Sequence, residues 1–383
     1  MQEKAIISAR NPGIDCLRGI SIILVVIHHV GLRVPLRETV LATFLPERVL
    51  SALIYNGYEA VFIFFVISGF LIASNTIHRW RELGSIDARA FYVRRAARIV
   101  PCLVILVSVL SILHLAGVNR YVISREGQSL PHAIFSALAL HLNWYEGRTG
   151  WLPGGWDVLW SLSIEEVFYL GFPLVCLLFR RDWILAPVSF LLALSLPVSR
   201  AALAGNEIWQ EKAYLPGMAA IAMGVFGAIV AARWQPRKRS FRWAFGAGGA
   251  FGVLAVLLFE DKLWRHLGNG TMLVQTFATM CLILAFYWQP EAPRWVWSGT
   301  GWLRSCGRLS YEIYLTHMFV VFAVLRIFKT SDENLWWGVL WYLPALLFSW
   351  LLGWLVAKYI SLPCERAMRA WLTPQRPATN PTR

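Results

Sequence analysis

Two adjacent histidines inside an apolar run are the first residues of this chain with chemistry to offer. They stand at 28 and 29 in GIDCLRGISIILVVIHHVG, residues 13–31, behind Asp15 and Arg18. At about 100° and 1.5 Å per residue, the step from Arg18 to His29 makes about three turns plus 20°. Arg18, Ile22, Val25 and His29 therefore share one stripe, with arginine and imidazole about 16 Å apart along the axis, and His28 points elsewhere. If the helix spans a membrane, Arg18 sits at the cytoplasmic mouth and His29 near mid-bilayer. Ionisable groups at that depth are costly and mark pathways or reaction centres. An imidazole there could act as a general base or a nucleophile.

Four further stretches carry polar groups into apolar sequence, and each has a plainer structural reading. In YEAVFIFFVISGFLIAS (58–74), Ser68-Gly69 interrupts an aromatic helix and suits close helix packing or a small polar contact. In FYVRRAARIVP (91–101), Arg95 and Arg98 lie three apart on one helix face with Arg94 beside them. Positive-inside anchoring would need fewer arginines, whereas guanidinium forks hold phosphate in bidentate fashion. In WSLSIEEVFYLGFPL (160–174), Glu165 and Glu166 are expected near the outer end of a span, with Ser161 and Tyr169 a turn to either side of Glu165. A carboxylate there could orient a histidine, position a hydroxyl or act as a base. In LSYEIYLTHMFVV (309–321), Ser310, Tyr314 and His317 form a stripe at i, i+4, i+7, which could equally make helix-to-helix hydrogen bonds.

The elements that must position these groups are apolar helices. Of 383 residues, 57% are hydrophobic, 14% aromatic and only 15% charged, and the mean hydropathy is +0.53. Soluble domains carry about 25% charged residues. The composition points to an all-α, polytopic membrane bundle, with 20 Trp suited to interfacial belts. The net charge of +14 punctuates apolar runs, which makes it a topology signal and argues against a nucleic-acid partner. Spans are expected at about 17–34, 57–77, 99–117, 159–179, 183–201, 213–232, 243–259, 271–288, 309–328 and 337–359. Residues 131–143 are too short to cross comfortably and are expected to be re-entrant or interfacial. With both termini cytoplasmic, Lys and Arg favour the inner segments about two to one. No cleavable signal peptide is expected, nor any soluble domain, and residues 373–383 read as a disordered cytoplasmic tail. The six cysteines lack metal-like spacing and read as reduced; no metal site is expected.

Taken together, the stretches resemble the acyltransferase-3 family of membrane-bound O-acyltransferases. IDCLRGISIILVVIHH, FFVISGFLI, FYVRRAARIVP, WSLSIEEVFYL, LSYEIYLTHMF and LPCERAMRAWL occur in the family's order across residues 14–372. The resemblance implies a bundle of about ten helices over residues 1–372 in the bacterial inner membrane. It implies transfer of an acyl group, most often acetyl, from cytoplasmic acyl-CoA to a hydroxyl of a carbohydrate, glycolipid or exopolysaccharide, alongside glycan-building machinery. The family's essential residues fall on Arg18, His29, Arg95, Arg98, Glu165 and His317. Arg94 and Arg18 would join the CoA phosphate clamp; His29, Glu165 and His317 would be catalytic; Asp15, Ser68 and Tyr314 would support them. The chain departs from the family at Phe62, where a polar residue is frequent and Glu59 could compensate, and at Val158-Leu159 and Val167. The alternative is a transporter or flippase of a lipid-linked sugar or anionic metabolite, which intramembrane histidines also fit. A non-catalytic scaffold would leave Arg18 and His29 dispensable.

Overall fold

The first described residue, Asn11, sets the first helix. Its side-chain oxygen accepts from the N–H groups of Gly13 (3.0 Å) and Ile14 (3.2 Å), and Pro12 takes the first turn, where its missing N–H is not needed. The computed structural model describes residues 11–289, 298–331 and 333–372, so the expected tail at 373–383 lies outside the described residues. Among these there is no strand. Ten helices are long and apolar enough to cross a membrane: α1 (Pro12–Gly31), α2 (Gly57–Trp80), α3 (Ala88–Leu115), α4 (Gly154–Phe179), α5 (Asp182–Ala201), α6 (Glu207–Arg233), α7 (Arg239–Leu267), α8 (Gly270–Tyr287), α9 (Ser310–Thr330) and α10 (Leu335–Leu372).

All ten expected spans are present, with two shifts of boundary that matter for the site. Because of the Asn11 cap, α1 starts before the expected 17 and ends at Gly31, so His29 stands in its last turn and not near its middle. Helix α3 starts at Ala88, where the Asp87 carboxylate accepts from the Ala90 N–H at 2.9 Å. The arginines at 94, 95 and 98 therefore belong to the second and third turns of a continuous helix. Hereafter the face on which α1 begins is proximal and the opposite face distal.

Glycines bring the central helices to backbone contact. A Cβ on Gly69 of α2 would lie 1.9 Å from the Ile221 carbonyl oxygen of α6, and one on Gly224 of α6 would lie 2.0 Å from that of Val66. Gly19 of α1 and Gly307 of the short helix Gly301–Arg308 make the same reciprocal contact. Small residues are how apolar helices approach closely where hydrophobic burial offers little drive. With Gly69 committed to α6, Ser68, about 100° round the helix, turns to α4. The close-packing reading of the pair holds at Gly69, while Ser68 makes its polar contacts with Glu165 and Tyr169.

On the distal face, residues 131–143 do not cross. They form the end of Leu130–Leu138 and the start of Leu142–Thr149, separated at Leu140, whose φ is 62°. Leu130–Leu138 packs on α3, Leu142–Thr149 on α4 and the start of α6, and Gly154–Asp157, the first turn of α4, roofs α9. Gly154 sits against Met318, next to His317 in α9; a Cβ there would lie 2.8 Å from its Cε.

Gly69→Ala should destabilise the bundle by about 1–3 kcal/mol, since the clash is with backbone and cannot relax by a rotamer change. Gly171→Ala, which meets nothing within 4 Å, should be neutral or slightly stabilising. Thermal unfolding of the two variants in detergent checks this; equal midpoints would contradict the packing.

Candidate active site

Two clusters are linked along the inner face of α9. The distal one holds three imidazoles. The ring of His29 lies 5.1 Å from that of His317 and 5.1 Å from that of His28. His28 turns toward the helix Glu47–Tyr55, as its offset on α1 demands, and its Nδ1 lies 2.7 Å from the Ile54 carbonyl. Gly57 packs on that ring with no room for a Cβ. His317 is fully buried, its Nδ1 2.7 Å from the Tyr314 carbonyl. A carbonyl only accepts, so Nδ1 carries the proton in both rings. The remaining nitrogen of His317, Nε2, is buried without a partner. It is a buried lone pair on a ring that neighbours that of His29.

The second cluster is organised by Glu165. Its Oε2 accepts from Tyr169 (2.8 Å) and Ser68 (3.2 Å), and those two hydroxyls are also bonded to each other. The Arg95 guanidinium lies over the Tyr169 ring at 3.8 Å, and Arg95 and Arg18 both act electrostatically on Glu165. Arg18 also donates to Ser310 Oγ at 2.8 Å. Arg98 stands over Tyr311 at 5.9 Å, and Arg94 over Trp80 at 4.9 Å with Nη2 buried and unpartnered. Among the described residues, none of Arg94, Arg95 and Arg98 is in an ion pair. Three cations outside any direct ion pair, with Glu165 and Glu166 acting on Arg95 only from nearby, can hold an anion of more than one charge. Glu166 is buried beside them with Oε1 unpartnered.

Tyr314 joins the two clusters. Its hydroxyl bonds Ser161 Oγ at 2.7 Å, and its ring lies 5.8 Å from that of His317. Arg18–Ser310 and His29–His317 are thus two tie points between α1 and α9, and most of the residues singled out from sequence lie along that seam. Asp15 is buried in the first turn of α1, where a carboxylate favours the helix terminus. Glu59 lies one turn from Phe62 on the same helix. It is buried on the distal face near Arg200, Glu211 and Glu260, while Phe62 is packed between Tyr58 and Phe65.

A family model described as an acyltransferase domain matches residues 11–359. The chain belongs to the acyltransferase-3 family. A peptidoglycan O-acetyltransferase, OatA, of Listeria monocytogenes is 23% identical over 362 residues, covering 86% of this chain and 52% of the relative. An O-acetyltransferase, OatA, of Staphylococcus aureus is 26% identical over 378 residues, covering 93% and 57%. The chain thus spans about half the length of the curated relatives it matches. No solved structure matches it.

Sequence reasoning missed the ion cluster that roofs this acyltransferase-3 site. Lys212, 2% exposed, donates to Glu146 at 2.9 Å and to Asp157, and its Nζ lies 3.9 Å from the Trp151 ring centroid. The other Glu146 oxygen accepts from the Leu152 N–H at 3.0 Å. Lys212 acts electrostatically on His29 and Asp157 on His28, so the cluster borders the imidazoles. In sequence its members come from two connections, 118–158 and 202–212, and a lysine ahead of an apolar run looks like a topology anchor.

Lys212→Met would strand the buried Glu146 carboxylate and the half-buried Asp157, and should cost about 3–5 kcal/mol. Lys212→Arg should cost less. Unfolding midpoints in detergent measure the difference, and an unchanged midpoint for Lys212→Met would mean the cluster is not a buried ion pair.

Proposed function

We propose that the protein is an integral membrane O-acetyltransferase that moves an acetyl group from cytoplasmic acetyl-CoA to a hydroxyl of a carbohydrate or glycolipid. The observation that carries this reading is the seam itself, with arginines in no direct ion pair among the described residues at one end and imidazoles with a free lone pair at the other. The proximal face would be cytoplasmic, as the excess of Lys and Arg favours. Arg94, Arg95, Arg98 and Arg18 would take the CoA phosphates through bidentate, charge-assisted bonds. The acyl arm would run along the seam past Glu165 and Tyr314 toward the imidazoles.

In the reaction the acceptor hydroxyl oxygen attacks the thioester carbonyl. A C–O bond forms, the C–S bond breaks, and the hydroxyl proton ends on the CoA thiol. His29 takes that proton as the hydroxyl attacks and returns it to the leaving thiolate. His317, fixed by the Tyr314 carbonyl, accepts from the His29 N–H or from the hydroxyl and so orients the pair. Glu165 holds Tyr169 and Arg95 in place on the donor side, through Ser68 and Tyr169. The names of the relatives support acetyl as the group moved and a glycan as acceptor. A bacterial cell membrane location, and work beside glycan-building enzymes, follow from the same reading. A transporter has no use for an acyl-CoA clamp aligned with a base.

His29→Ala should lower kcat for CoA release by about 10²–10⁴-fold with acetyl-CoA binding retained. Arg95→Gln/Arg98→Gln should weaken acetyl-CoA binding about 10²–10⁴-fold, from the loss of two charge-assisted contacts of about 1.5–3 kcal/mol each. Purified protein, assayed for binding by calorimetry and for thiol release by colorimetry, separates the two effects. A wild type that neither binds nor consumes acetyl-CoA would remove the reading.

A further inference from the structure

The distal end has a second pair of cations outside any ion pair among the described residues, which the donor clamp does not explain. Arg33 follows the end of α1, and its Nη1 donates to the carbonyl of His29 at 3.0 Å. Arg120 arrives from the connection after α3. The two guanidinium groups converge on one ring, Phe322 of α9, at 5.5 and 5.3 Å from its centroid. Neither is in an ion pair among the described residues. Arg120 Nη1 is buried with no acceptor, and the residue's backbone sits at φ 74°, a region that long side chains avoid.

Those features are unfavourable for the free protein. Arg33 itself is exposed, open to a ligand arriving from solution, and partial desolvation, then the Arg120 charge, pull its guanidinium below its ordinary pKa. Positive-inside bias disfavours arginines on this face. A bound oxyanion would relieve the mutual repulsion and satisfy the buried donor, since a carboxylate or phosphate accepts from guanidinium forks in bidentate fashion. The place is specific: Arg33 is tied to the backbone of His29 and acts electrostatically on both His28 and His29. Phe322, which carries both guanidinium groups, also packs under Gly154 of the roof.

We propose that Arg33 and Arg120 bind an oxyanion, carboxylate or phosphate, carried by the acceptor beside the hydroxyl that receives the acyl group. The acceptor is then an acidic glycan or a sugar joined to a phosphate, not a neutral polysaccharide. This inference rests on the acetyl-transfer reading and narrows its acceptor. Phosphates of the bilayer offer the same chemistry, but the unsatisfied Arg120 Nη1 is inside the protein and Arg33 bonds the chain carrying His29.

The test uses membranes containing the full chain and the producing cell's own glycans, supplied with radiolabelled acetyl-CoA. The labelled product should be retained on anion exchange. Loss of retention after carbodiimide amidation identifies a carboxylate, and loss after mild acid or phosphatase identifies a phosphate; either supports the proposal. With the labelled glycan purified, deacetylated and added back, Arg33→Gln and Arg120→Gln should each raise its KM about tenfold and leave the KM for acetyl-CoA unchanged. The Arg33→Lys/Arg120→Lys variant should keep part of the affinity. Retained acetyl-CoA binding certifies that each variant is folded, and the charge of the wild-type product decides without variants. A neutral product overturns the proposal. So does an unchanged acceptor KM in the double glutamine variant, including the case where its activity follows only the content of anionic lipid. Wild-type membranes that transfer no label would instead overturn the acetyl-transfer reading itself.

Discussion

One hydrogen bond sets the character of the distal site: His317 Nδ1 on the Tyr314 carbonyl, at 2.7 Å within a single turn of α9. It fixes the proton on one ring nitrogen and leaves the other as a buried lone pair without a partner. An unmatched polar atom inside an apolar bundle costs several kcal/mol, so it persists only where the surrounding packing over-determines it. The surroundings do so. Gly19 and Gly307 lock α1 to its neighbour by backbone contact, and the Gly154 turn presses on Met318 beside His317. The tie between Arg18 and Ser310 sets the register in which His29 meets His317.

The same seam separates charge. At the proximal end three arginines rest on aromatic rings, in no direct ion pair among the described residues. At the distal end a buried lysine is paired with two carboxylates under Trp151, and a second arginine pair faces the imidazoles. Between them the link is hydroxylic: Ser68, Tyr169, Ser161 and Tyr314. An extended ligand with a phosphate-rich head and a reactive end would match that distribution, and so would an acceptor arriving from the opposite side. Rigid helices hold the groups, which is what a site needs if its geometry is to be maintained without loops.

Much of this was legible in the sequence, for a physical reason. Membrane helices advertise themselves by length and hydropathy, and a polar residue within one stands out against apolar neighbours. That is why Arg18, His29, Glu165 and His317 could be named, and why the fixed helical period aligned Arg18 with His29. Depth was less legible. The cap at Asn11 shifts α1, so His29 comes in its last turn, and the cap at Asp87 makes the three arginines part of α3. The roof was illegible. Glu146, Asp157 and Lys212 lie in short connections, where no periodicity relates residues far apart in sequence, and Arg33 and Arg120 meet only because both stack on Phe322.

In the proposed reaction donor and acceptor reach one seam from opposite faces. This is tested most directly in sealed vesicles of defined orientation, with labelled acetyl-CoA supplied to one face at a time and the glycan product counted. The account predicts labelled glycan only when acetyl-CoA is on the face carrying Arg94, Arg95 and Arg98, and none when it is supplied on the face of Arg33 and Arg120. Equal labelling from both faces would contradict it.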